Sequence, residues 1–102
     1  MDKVKEVVKK KQKLKPPKLY KVLMHNDNYT TMDFVVEVLK TIFNKSDAES
    51  EQIMLTIHKK GIGLCGVYPY DIAVTKADLV HFIAEKNKFP LKCSVEPDQE
   101  NE

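Results

Sequence analysis

The stretch YKVLMHNDNYTTMDFVVEVL, residues 20–39, changes its period halfway along. Up to Met24, and counting Leu19 in front, β-favouring residues alternate. Tyr20, Val22 and Met24 share one face and Leu19 and Leu23 the other, which predicts a strand. From Met32 the apolar positions Met32, Val35, Val36, Leu39, Ile42 and Phe43 recur at helical spacing. Phe34 and Val38 widen this stripe, while Asp33, Glu37, Lys40 and Thr41 hold the wet face. Thr30 has the chemistry of an N-cap, because its hydroxyl can accept from the amide of Asp33, whose carboxylate suits the positive end of a helix. A helix from Thr31 to about Asn44 is therefore expected. His25, Asn26, Asp27 and Asn28 are packed into the joint, four hydrogen-bonding side chains at one corner.

Outward from this joint the chain is punctuated clearly. Ser46 to Glu49, SDAE, reads as a capping box that starts a second helix running to Lys60 and stopping at Gly61. Its apolar stripe is Ile53, Met54 and Ile57, with His58 one turn beyond Met54. IGLCGVY, from Ile62, is a second strand bracketed by glycines. Pro69 suits the first turn of a third helix over about Tyr70 to Asn87, with Ala73, Ala77, Val80, Ile83 and Ala84 on one face. Pro90 ends that segment and LKCSV gives a short third strand. The order β-α-α-β-α-β defines an α+β domain: a small three-stranded antiparallel sheet with three helices packed on one side. Residues 1–17 read as a flexible lysine-rich arm closed by a proline pair, residues 18–97 as the core domain, and residues 98–102 as an acidic tail.

Composition narrows the classes of function. With 102 residues, 42% hydrophobic and 31% charged, the chain fits one ordinary globular domain. The charge is unevenly spread: residues 1–15 carry seven lysines against Asp2 and Glu6, a net of +5, and the remainder ten lysines against thirteen acids, a net of −3. The arm thus holds the basic character. There is no arginine and no tryptophan, so the bidentate base reader is missing and stacking platforms are few. A tail that meets an acidic protein partner, or nothing, is favoured over nucleic acid. No apolar run is long enough for a membrane span, and no secretory leader is visible. We expect a cytoplasmic monomer without cofactor or metal.

Catalytic chemistry finds little support. Cys65 and Cys93 form no C-x-x-C pair and read as buried, reduced thiols in strands. His25, His58 and His81 show no metal-ligand spacing, and three glycines cannot make a phosphate loop. His81, with Asp78 and Glu85 on the same side of its helix, reads as a solvated surface residue. The joint itself admits two readings. Asn26, Asp27 and Asn28 are common turn residues, Thr30 a cap, and His58 a helix-end residue favoured by the dipole. Alternatively the oxygens of Asn26, Asp27 and Asn28 gather at the rim of an apolar hollow formed with Met32, Val35, Met54, Ile57 and His58, which suits an ammonium beside a bulky apolar group. The residues alone leave both open.

Several segments together resemble one family. PPKLYKVLMHNDNYTTMDFVVEVL, QIMLTIHKKG, LCGVYPYDIAVTK and NKFPLKCSVE, in this order over residues 16–96, are similar to the bacterial ClpS adaptors, which hand N-degron substrates to the ClpA-type unfoldase of the ClpAP protease. The resemblance implies that Asn26, Asp27, Asn28 and His58 bind a free α-amino group. It implies a side-chain pocket from Met24, Thr30, Met32, Val35, Met54, Ile57 and Leu91, with Met32 as gatekeeper against β-branched residues. It also places a contact with the N-terminal domain of the AAA+ unfoldase at Asp71 and Lys76, and gives the arm a part in hand-off.

Two positions depart from the family pattern. Asn28 stands where the family's N-D-D-Y segment has its second aspartate, and Thr31 where a proline usually precedes the gatekeeper. Asn28 accepts a hydrogen bond but brings no charge, so weaker amine binding or a narrower side-chain range is expected. The competing reading is a general protein-interaction module of similar fold, ribosomal-stalk-like, with no N-degron binding.

Overall fold

The computed structural model describes residues 15–99; most of the expected arm and tail lie outside the described residues. Six elements follow in the expected order: β1 Leu19–His25, α1 Met32–Thr41, α2 Asp47–Lys60, β2 Ile62–Pro69, α3 Tyr70–Lys86 and β3 Lys92–Pro97. β1 is the central strand, antiparallel to β2 on one side and β3 on the other.

The alternation read in β1 sorts the faces of the sheet. Met24 lies opposite Gly63 of β2 and Cys93 of β3, while Val22 faces Gly66 and Val95. Val22 and Met24 are buried against Val35, Val38 and Leu39 of α1, Met54 and Ile57 of α2, and Ala73, Ala77, Val80 and Ala84 of α3, in one core. On the opposite face Ile62 and Leu64 stay 40% and 46% exposed, so the helices cover one side only. Between Val22 and Leu23 the register slips: their partners are Gly66 and Leu64, leaving Cys65 as an extra residue on β2. Cys65 and Cys93 are free and buried, as expected. They also meet in space: a hydrogen bond with Cys93, and then burial, push the Cys65 thiol far above its usual range.

Helix ends follow local chemistry with some shifts. Ser46 and Glu49 form the capping box reciprocally at 3.1 and 3.0 Å. Gly61, at φ 88°, closes α2 in the left-handed region that glycine reaches without a Cβ clash. The cap of α1, however, is Thr31 and not Thr30: the Thr31 hydroxyl accepts from Phe34 N at 3.1 Å, because Thr30 is taken by Asp27. α1 is also shorter than expected, ending at Thr41. Asn44 turns left-handed at φ 56°, and Lys45 N donates back to Leu39 O at 3.1 Å. Pro69 closes β2 and stands at the N-cap position of α3, where a missing N–H costs no ladder bond.

His81 is not the solvated residue expected. Its Nε2 accepts from the backbone amide of Cys93 at 3.0 Å, so it pins α3 to the outer edge of β3 and satisfies a donor the sheet leaves unpaired.

Candidate functional site

The joint after β1 is organised by one carboxylate. Asp27 Oδ1 accepts from Tyr29 N at 2.8 Å and Thr30 N at 2.7 Å, and Oδ2 accepts from Thr30 Oγ1 at 2.7 Å. This is the Asx chemistry that makes Asp a turn residue. Burial works to raise the Asp27 pKa, but the three hydrogen bonds from Thr30 and Tyr29 outweigh it and hold the carboxyl below its ordinary value.

A second link brings in α2. Asn26 N donates to Gly61 O at 2.9 Å, while Gly61 N caps Ile57 O at 2.8 Å. The residue that ends α2 therefore also receives the strand leaving the sheet. His58, three residues earlier on α2, is carried to the same rim.

The result is a hollow of about 230 Å³ lined by Asn26, Asp27, Asn28, Thr30, Met32, Val35, Met54, Ile57 and His58. The wall is apolar, from α1 and α2, and the rim is polar, from the loop and His58. Asp27 is committed to its own loop. Among the described residues no internal hydrogen bond engages the side chains of Asn26, Asn28 or His58, which leaves their donors and acceptors for a ligand. Met32 is 45% exposed at the mouth, although it belongs to the apolar stripe of α1.

Eleven sequence positions were expected in the amine and side-chain site, and nine line this hollow. Met24 and Leu91 do not. Met24 is fully buried on the core face of β1, and Leu91 lines a separate hollow of about 580 Å³ with His81, Glu85 and Phe89. Asp71 and Lys76 lie together in a third hollow of about 420 Å³, between the end of α1 and α3, with the half-exposed Ile72 and Leu79. His25 stays outside all three, with Nε2 bonded to Ser94 Oγ at 2.7 Å. Sequence reasoning missed the carbonyl of Gly61: the glycine was legible as a helix stop, but nothing local announces the strand that docks on it. Among the described residues no group of His, Cys, Asp and Glu is disposed to hold a metal, and no helix is long and apolar enough to cross a membrane.

Fold and hollow together define a small two-layer module with an amphipathic concavity at one end. Comparison with known proteins places it more narrowly. Residues 15–94 match the family model described as ATP-dependent Clp protease adaptor protein ClpS. The adaptor protein ClpS of Syntrophus aciditrophicus is 56% identical over 84 residues, covering 82% of this chain and 78% of that one. That of Myxococcus xanthus is 56% identical over 89 residues, covering 87% and 83%. Among solved structures, Agrobacterium tumefaciens ClpS2 bound to L-phenylalaninamide superposes with a TM-score of 0.78 at 40% identity, over 81% of this chain and all of that one. The chain belongs to the ClpS family of Clp protease adaptors, and it is accordingly an adaptor and not an enzyme.

Proposed function

We propose that the hollow binds the free α-amino group and the bulky first side chain (Leu, Phe, Tyr or Trp) of N-degron substrates, and that the protein delivers them to a ClpA-type AAA+ unfoldase. One observation carries this reading: unpaired polar side chains of Asn26, Asn28 and His58 rim a hollow whose wall is Met32, Val35, Met54 and Ile57. An ammonium fits the rim and a large apolar group the wall. The Agrobacterium relative, in complex with L-phenylalaninamide, holds a molecule of that chemistry.

The magnitudes are adequate. Burying a Leu or aromatic side chain gives about 1.5–3 kcal/mol, and each charge-assisted hydrogen bond to an ammonium gives about 1.5–3. Three such bonds with the side chain give roughly 6–12 kcal/mol before the cost of association. Micromolar or tighter binding follows, since about −8.2 kcal/mol corresponds to 1 μM. A neutral imidazole at His58 can accept from the ammonium. An acetylated or internal residue offers no such donor and is rejected.

The test is a titration of a fluorescent peptide with a free N-terminal Leu or Phe against its acetylated twin. Binding of the free peptide alone is expected. Equal binding of both, or of neither, would leave a general interaction module in its place. The groove at Asp71 and Lys76 is the surface we assign to the unfoldase's N-terminal domain, with the lysine-rich arm acting in hand-off.

A further inference from the structure

Gly63 lies inside β2, where a glycine weakens the strand and adds no side chain to the core. Its backbone conformation does not explain it. Among the described residues Gly61 is the one glycine with positive φ, so alanine at 63 meets no left-handed strain. Space explains it instead. Gly63 is buried and pairs with Met24 of β1, and a Cβ on it would stand 2.6 Å from Ile57 Cγ1, 3.3 Å from Ile57 Cδ1 and 3.5 Å from Ile53 Cγ2. Ile53 and Ile57, one turn apart on α2, therefore rest on bare backbone of β2. Gly63 is not among the residues that line the hollow, whereas Ile57 is.

Carbon atoms in contact settle about 3.5–4.0 Å apart, so a methyl at 63 displaces Ile57 Cγ1 by about 1 Å. A close-packed interior yields toward free volume, and the free volume beside Ile57 is the hollow of about 230 Å³. On the other side stands the sheet, with Met24 fully buried in it. We infer that Gly63 is a specificity-determining residue: it lets Ile57 sit back against β2 and so keeps the hollow wide enough for the largest first side chains, Trp and Tyr, beside Leu and Phe. It acts through Ile57 and not by touching the ligand. This role rests on the N-degron reading proposed above.

Four peptides with a free amine, identical except for a first residue of Leu, Phe, Tyr or Trp, are titrated against the native protein, Gly63→Ala and Gly63→Ala/Ile57→Val. In Gly63→Ala the Trp peptide is expected to lose about tenfold more affinity than the Leu peptide, since one methylene of room in an apolar pocket discriminates by about 10–200-fold. Ile57→Val gives back the volume of one methyl, so the double variant is expected to return the Trp-to-Leu ratio to within about twofold of native, as volume-conserving exchanges do. Equal losses for all four peptides, an unshifted ratio in Gly63→Ala, or a shifted ratio that the double variant leaves in place overturns the role of Gly63. A native protein that binds none of the four overturns the N-degron reading, and this role with it.

The contact behind the role is tested on the protein alone. Gly63→Ala and Ile57→Val are each expected to lower Tm, the first by crowding and the second by leaving a methyl's space unfilled. Together they relieve each other, so adding Ile57→Val to Gly63→Ala is expected to raise Tm. Losses that simply add refute the packing of Ile57 on Gly63, whatever the peptides do.

Discussion

A Cβ placed on Gly63 would come within 2.6 Å of Ile57 Cγ1. β2 and α2 touch through a position that only glycine fits, and the residue it touches is part of the hollow's wall. Gly63→Ala is expected to cost about 1–3 kcal/mol by overpacking and to push Ile57 toward the hollow. Affinity for a Leu- or Phe-initiated peptide should fall with it. Denaturation and peptide titration of the same variant check both effects, and an unchanged midpoint would show that Ile57 yields freely.

Asp27 sets a pH dependence. Its folded-state pKa is depressed below the ordinary value of 3.8 by hydrogen bonds that outweigh burial. The carboxylate's contribution to stability is therefore complete above that value and is lost as pH falls through the lower folded value. Denaturant unfolding of the native protein and Asp27→Asn between pH 7 and pH 2 should show a gap that is constant at neutral pH and narrows below about pH 4. A gap that persists undiminished at pH 2 contradicts the assignment.

The two adjacent threonines have separable jobs. Thr31→Ala removes the α1 cap and is expected to cost about 0.5–2 kcal/mol. Thr30→Val keeps the cap and releases Asp27 Oδ2, so its signature is a weakened low-pH transition with α1 intact. Circular dichroism melts across pH separate them; identical behaviour of the two variants would mean that the capping and loop roles are not divided this way.

Asn28→Asp should tighten binding of a free-amine peptide. The group is exposed at the rim, so the added charge is worth about 0.2–1 kcal/mol, or roughly up to fivefold. The gain should shrink as salt is raised. A titration at two ionic strengths checks this, and weaker binding by the aspartate variant would remove Asn28 from the amine site.

Ser50 is fully buried on α2, and its hydroxyl has no hydrogen-bond partner among the described residues. An unpaired buried hydroxyl is costly, and alanine is the better helix former. Ser50→Ala is expected to stabilise by about 1 kcal/mol, read as a Tm rise of about 4–8 °C. A lower Tm would mean that the hydroxyl is satisfied in solution.

What the sequence made legible was local. The alternation of Leu19 to Met24, the Ser46–Glu49 box and the Gly61 stop each depend on residues within one turn, and each is found in the fold where the pattern puts it. The polar joint and the apolar stripes of α1 and α2 likewise named eight of the hollow's nine residues before any tertiary contact was known, the ninth, Thr30, being read there only as a cap. The failures are one competition within a turn and two contacts made across the fold. Thr30 and Thr31 carry the same hydroxyl, and only the turn closed by Asp27 decides which of them caps. His81 looked solvated because its partner, the amide of Cys93, arrives from another element. Cys65 meets Cys93, which lies 28 residues away in the sequence, and it does so from the extra position of a bulge that no sequence period predicts.

The central place of β1 has a mechanical consequence. The loop from Asn26 to Thr30 continues directly from this strand, which is laced to β2 on one side and β3 on the other. Tension applied to this loop enters the sheet along the axis of β1. There the rungs of both ladders oppose it together, because sliding the strand requires breaking them simultaneously. An edge strand would peel one rung at a time. A pull at this end therefore leaves the sheet intact for longer than the same pull on an edge strand would.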